Sequence, residues 1–148
     1  MKSLLLIHVF ATVFMVGLIW FVQIVHYPLF ASVGADGFRA YEEQHQRLTT
    51  WVVAPVMMVE LLTSTWLWKT APPHLNACCS IGLALLGLIW LTTAFLSVPA
   101  HNALSEGFSE TAYRKLVATN WIRTIAWSIR GVLVLMMVQL EYTIQASA

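Results

Sequence analysis

The stretch Asn120-Trp121-Ile122-Arg123-Thr124-Ile125-Ala126-Trp127-Ser128-Ile129-Arg130 runs without a break into Gly131-Val132-Leu133-Val134-Leu135-Met136-Met137-Val138. It begins polar and aromatic and continues as an apolar run of membrane type. On a helix, at about 100° per residue, Asn120, Arg123, Trp127 and Arg130 fall within an arc of about 80°. They form one polar stripe on an otherwise greasy helix. An arginine well inside a membrane segment is costly and faces a protein interior or a watery cavity. Arg130 therefore demands a partner, and the rest of the chain offers Glu60.

Composition places this stretch in a membrane protein. Of 148 residues, 59% are hydrophobic and 10% charged, where a soluble domain has about a quarter of its residues charged. The mean hydropathy is +0.73. A net charge of +1 leaves no basic field for nucleic acid. The two cysteines, Cys78 and Cys79, are neighbours, which excludes a disulfide framework and reads as small apolar filling. Met1-Lys2 opens an apolar run that continues to about Val25 without a small-residue cleavage site. It reads as a retained membrane helix rather than a signal peptide.

Outward from the opening stretch, the pattern predicts four spans, at about residues 3–25, 49–68, 77–98 and 119–142, each close to the ~20 residues a bilayer requires. Polar helical segments are expected at about 38–48 and 109–118. The expected fold is all-α: one integral membrane domain over residues 1–148. It is a four-helix transmembrane bundle with two amphipathic helical insertions on one face. The halves look alike. In each, a span ends at a proline with a histidine beside it (His26-Tyr27-Pro28 and Pro99-Ala100-His101). A polar segment and a second span follow, and Arg47/Trp51 matches Arg123/Trp127 in spacing. An ancient duplication and the plain likeness of any two helical hairpins explain this equally. The cations Arg39, Arg47, Arg114, Lys115 and Arg123 would hold the two long loops in the cytoplasm. The expected location is a cell membrane, as a multi-pass protein of the bacterial inner membrane.

Three constellations carry chemistry. Glu60 and Arg130 are expected at one depth, roughly 16 Å in, where opposite charges should pair. That pair is either a register device or the floor of a polar cavity. Glu42 and His45 share a helix face, with His26 and His101 at about the same level. Two or three histidines with a carboxylate suit one transition metal ion, Fe, Cu or Zn. The single Glu-x-x-His does not make a di-iron set. The alternative is interfacial side chains capping helix ends. Asn102, Asn120 and Arg123, with Tyr27, Tyr41 and Tyr113, line the same end and offer donors for a carbonyl, quinone or phenolate; Tyr27 and Trp127 are the candidate cofactor-binding aromatics. The alternative for Arg123 is snorkelling to lipid phosphate.

The segment Val98-Pro99-Ala100-His101-Asn102-x-Leu104, followed by Asn120-Trp121-x-Arg123-x-x-x-Trp127-x-x-Arg130, resembles the second half of a family of small four-helix bacterial membrane proteins, the anthrone-oxygenase-like proteins. The resemblance covers mainly residues 98–130. It implies oxidation of a polycyclic aromatic or other apolar substrate at the membrane, with Asn102, Asn120 and Arg123 as site residues. The leading expectation is a small membrane oxidoreductase or oxygenase whose hydrophobic substrate arrives from the bilayer. An accessory subunit of a larger membrane complex and a small oligomeric transporter or channel are the rival readings. The expected partners are lipid, a hydrophobic small molecule, and copies of itself or a larger complex.

Overall fold

The structure, a computed structural model, describes residues 2–146 apart from the side chain of Gln145. Four helical rods make up the described residues. Helix 1 is Lys2–Ser32, helix 2 Ala35–Thr70 and helix 3 Pro73–Ser105. Helix 4 is Glu110–Ala146. No strand occurs among the described residues. Each rod is long and apolar enough to cross a bilayer. Helices 1 and 2, 2 and 3, 3 and 4, and 4 and 1 pack side by side, closing an up-down bundle. The outer surface carries exposed Phe10, Trp51 and Phe95 among many other large apolar side chains. Such a surface suits contact with lipid.

The two polar segments are not separate insertions. Helix 2 has 36 residues and helix 4 has 37, which is about 55 Å of helix against a hydrocarbon layer of about 30 Å. The segments 38–48 and 109–118 are continuous N-terminal extensions of the membrane helices. No glycine or proline interrupts either one after its first turn. Asp36 and Glu110 sit in the first turns, where a negative charge meets the positive end of the helix dipole.

Helices 1 and 3 also run further than their prolines suggested. Helix 1 continues through Pro28 to Ser32, and helix 3 through Pro99 to Ser105. The reason is local. A π-turn, Val22–His26, precedes Pro28, and another, Thr93–Ser97, precedes Pro99. A proline cannot bond the carbonyl four residues back, which here belongs to Ile24 or Phe95, inside the π-turn. The wider turn absorbs that defect and turns the following residues by part of a step. The inward positions run Ile19, Gln23, Tyr27 in helix 1, two steps of four where an α-helix averages 3.6.

The prolines and π-turns align the two halves of the backbone, but the histidines do not correspond. His26 lies two residues before Pro28, whereas His101 lies two after Pro99. Arg47 is exposed while Arg123 is buried. The repeat expected from paired histidines and arginines is thus a repeat of backbone bends rather than of functional groups.

The interior is layered. Leu5, Leu67, Leu75, Cys78, Cys79 and Met137 close the short-loop end. Met15, Ile19, Met57, Ile89, Ala126 and Trp127 fill the middle. Tyr27, Phe30, Phe38, Ala100, Leu104 and Leu116 cap the long-loop end. Polar side chains occupy the levels between these layers.

Candidate functional site

The deeper polar level is built on Glu60 and Arg130. Arg130 donates to Glu60 Oε1 at 3.0 Å, and both side chains are sealed from solvent. Trp127 Nε1 donates to Glu60 Oε2 at 3.0 Å. Arg130 also donates to the carbonyl of Gly82 on helix 3. One arginine thereby ties helices 2, 3 and 4. On the short-loop side of this pair, His8 Nδ1 meets Thr63 Oγ1 at 2.8 Å.

The upper level is a chain of hydrogen bonds through all four helices. Gln23 Nε2 donates to the carbonyl of Val117, and Asn120 Nδ2 donates to Gln23 Oε1 at 2.8 Å. Arg123 donates to Asn120 Oδ1 and, at 3.3 Å, to the Tyr27 hydroxyl. Tyr27 is 3.0 Å from His101 Nε2, and His101 Nδ1 is 2.6 Å from Glu42 Oε1. One tautomer satisfies every link. Tyr27 donates to Nε2 and the Nδ1–H of His101 donates to the carboxylate. Gln46 Nε2 donates to Glu42 Oε1 as well, and to Ser105 Oγ.

Beside this chain stands a pair of histidines. His26 Nε2 and His45 Nδ1 are 2.8 Å apart, and Thr49 Oγ1 reaches the same His45 nitrogen at 3.1 Å. His45 Nε2 has no hydrogen-bond partner among the described residues. Glu42, His45 and His101 each bring one potential ligand atom within 4.8 Å of the others. His26 stands outside that group, behind His45. Glu42 Oε2 is buried without a partner.

A cavity of about 280 Å³ lies between the two polar levels, walled largely by apolar side chains. Tyr27, His45, His101 and Arg123 line its upper end, and Trp127 and Met57 lie at its lower end. Its lining includes Thr50, Ala54 and Val98, exposed residues of helices 2 and 3, so it opens sideways between those helices. Two buried donors on its lining side chains lack acceptors: Arg123 Nε and Trp90 Nε1. Unsatisfied buried donors are uncommon in folded proteins, and each one calls for a reason.

The fold brings together most of the residues singled out in the sequence. Tyr27, Glu42, His45, His101, Asn120 and Arg123 share the upper level, and Glu60, Trp127 and Arg130 share the lower one. Asn102 lies apart from both levels. It follows His101 on a continuous helix, so it points about 100° away and is exposed. His26 meets His45 and lies outside the group of Glu42, His45 and His101. Gln23, Gln46 and Trp90 are additions. Gln23 is a lone amide in an apolar span, and Gln46 lies one turn beyond Glu42; both signals were open to reading. Trp90 stands in mid-span, away from the interfacial tryptophans, which marks it as a core residue but not as a site residue.

No family model, no curated protein and no solved structure matches this chain.

Proposed function

We propose that this protein is a membrane-embedded oxidoreductase of the oxygenase type, acting on a small apolar, aromatic substrate that carries a carbonyl or phenolic oxygen. The observation that carries the reading is the Arg123 guanidinium and the Trp90 indole on the wall of a largely apolar cavity, each with a buried N–H that has no acceptor. A flat aromatic ring matches the apolar walls, and its oxygen supplies the missing acceptor. The guanidinium favours that oxygen most when it carries negative charge, in water-excluded surroundings. His45 and the Tyr27–His101–Glu42 chain stand at the same end, beside the reacting atoms. The lateral mouth suits a substrate dissolved in lipid, in the membrane of a bacterial cell.

The resemblance to anthrone-oxygenase-like proteins supports an overall reaction that needs no other reductant. A methylene between two aromatic rings loses both C–H bonds and gains a C=O. Dioxygen supplies the carbonyl oxygen, and its second atom leaves as water with the two hydrogens. The chain's own residues hold the substrate oxygen at Arg123 and exclude water through the apolar walls.

The reading is tested with detergent-purified protein and a hydroxylated anthrone. Dioxygen uptake should match formation of the quinone and fall at least 10-fold in Arg123→Gln. Saturable binding without uptake would replace the oxygenase reading with a carrier or accessory role. Absence of both binding and uptake would remove it.

A further inference from the structure

We propose that Glu42, His45 and His101 form a mononuclear site for a divalent transition metal ion, iron(II) or zinc(II), at the upper end of the cavity. Each residue contributes a ligand atom within 4.8 Å of the others. Glu42 is fully buried, and its Oε2 has no partner. A carboxylate oxygen without water or donor is expensive, and a cation there supplies what it lacks. His45 Nε2 makes no hydrogen bond among the described residues and is free to ligate. His101 exchanges its contact with the Tyr27 hydroxyl for the ion. Two imidazoles and one carboxylate are borderline-hard donors, which suits zinc or ferrous iron and leaves open positions for an exogenous ligand.

The surroundings fit a metal site beyond its three ligands. Metal-binding histidines hand their second ring nitrogen to a partner that fixes the ring. Here His45 Nδ1 is engaged by His26 at 2.8 Å and by Thr49 at 3.1 Å. Gln46 donates to Glu42 Oε1 at 3.2 Å and anchors on Ser105 Oγ at 2.6 Å. The cavity provides access, and Phe30, Phe38 and Leu104, all fully buried, cap the group from the long-loop end.

The test reads metal content and affinity without any substrate, so it stands apart from the oxygenase reading. Protein purified in detergent without chelating resins is analysed for metals, then stripped and titrated with zinc(II), iron(II) under nitrogen, and cobalt(II) as a visible probe. One ion per chain is expected, with cobalt bands that disappear in Glu42→Gln and in His45→Ala. Gln46→Ala should retain the site with affinity weakened about 10-fold. His8→Gln and His74→Gln should bind as the parent does. Circular dichroism and gel filtration establish that each variant is folded. Titrations that show no stoichiometric ion, or an ion retained in folded Glu42→Gln/His45→Ala, overturn the proposal. A bound ion without turnover leaves the metal site standing and counts against the oxygenase alone.

Discussion

Glu60 and Arg130 meet at 3.0 Å from helices 2 and 4, with side chains 0% and 1% exposed. Each neutralises a charge that neither membrane nor core would accept alone. Helices 2 and 4 are diagonal in the ring, and helix 3 joins them through the Gly82 carbonyl.

The first prediction concerns this pair. Glu60→Gln or Arg130→Met should each cost about 3–5 kcal/mol, because either leaves its partner as an uncompensated buried charge. Glu60→Leu with Arg130→Met should cost much less than the sum of two single changes. Denaturant or thermal unfolding in one detergent measures all of them. Additive losses would show that the pair does not interact energetically.

Trp127 carries the second prediction. Its indole N–H satisfies Glu60 Oε2 at 3.0 Å. Trp127→Phe keeps an aromatic wall for the cavity but removes that donor, at a cost of about 1.5–3 kcal/mol for a bond to a charged acceptor. If unfolding shifts by less than half a kcal/mol, roughly the level of a surface change, the bond is not needed to satisfy Glu60.

Tyr27→Phe tests the directional chain from Arg123 through Tyr27 and His101 to Glu42. The change deletes one hydroxyl and leaves Arg123 free to turn toward a ligand. In the metal-free protein, stability should fall by about 1–3 kcal/mol, since a buried acceptor and a buried donor lose their partners together. Binding of a phenolic ligand to Tyr27→Phe, followed by tryptophan fluorescence, should persist while Arg123→Gln abolishes it. Equal loss in both would move the ligand oxygen from Arg123 to Tyr27.

Two glycines, one exposed on helix 1 and one packed between helices 4 and 1, give a contrast. An added Cβ at Gly131 would meet Val16 Cγ2 at 3.1 Å, whereas at Gly17 it meets nothing within 4 Å. Gly17→Ala should therefore gain up to about 1 kcal/mol from helix propensity. Gly131→Val should destabilise by forcing helices 1 and 4 apart where small residues permit close approach. The two variants are compared by melting temperature in the same detergent, and equal shifts would contradict the packing at Gly131.

Orientation is open to a direct check. The up-down bundle places the turn at Pro73–Leu75 on the same side as the chain ends. The cations Arg39, Arg47, Arg114 and Lys115 lie at the opposite end. By the bias of basic loops toward the cytoplasm, a cysteine placed at Asn76 should react with an impermeant thiol reagent from outside the cell, and one at Glu106 should not. The reverse pattern would invert the bundle.

The amino-acid sequence alone determined that this chain holds four long apolar helices with two polar segments on one side, and the tertiary structure made those segments continuous with helices 2 and 4. The sequence also determined that Glu60 and Arg130 belong together. These conclusions rest on hydropathy and charge, which each segment carries locally, and on the high energy of an isolated charge in hydrocarbon. The histidine–carboxylate residues could be named, but not which of them converge. That depended on two π-turns, because the fraction of a turn added before Pro28 and Pro99 sets which way Tyr27 and His101 face. Position along the chain grouped His26 with His45 and His101 as ligands, and the family resemblance offered Asn102 as a site residue. The tertiary structure turned Asn102 outward and put His26 behind His45. It also created the cavity, whose walls come from all four helices, and left a buried N–H of Trp90 and of Arg123, two of its lining residues, without an acceptor. A void and an unmet hydrogen bond are relations between distant segments, which no single stretch of sequence contains.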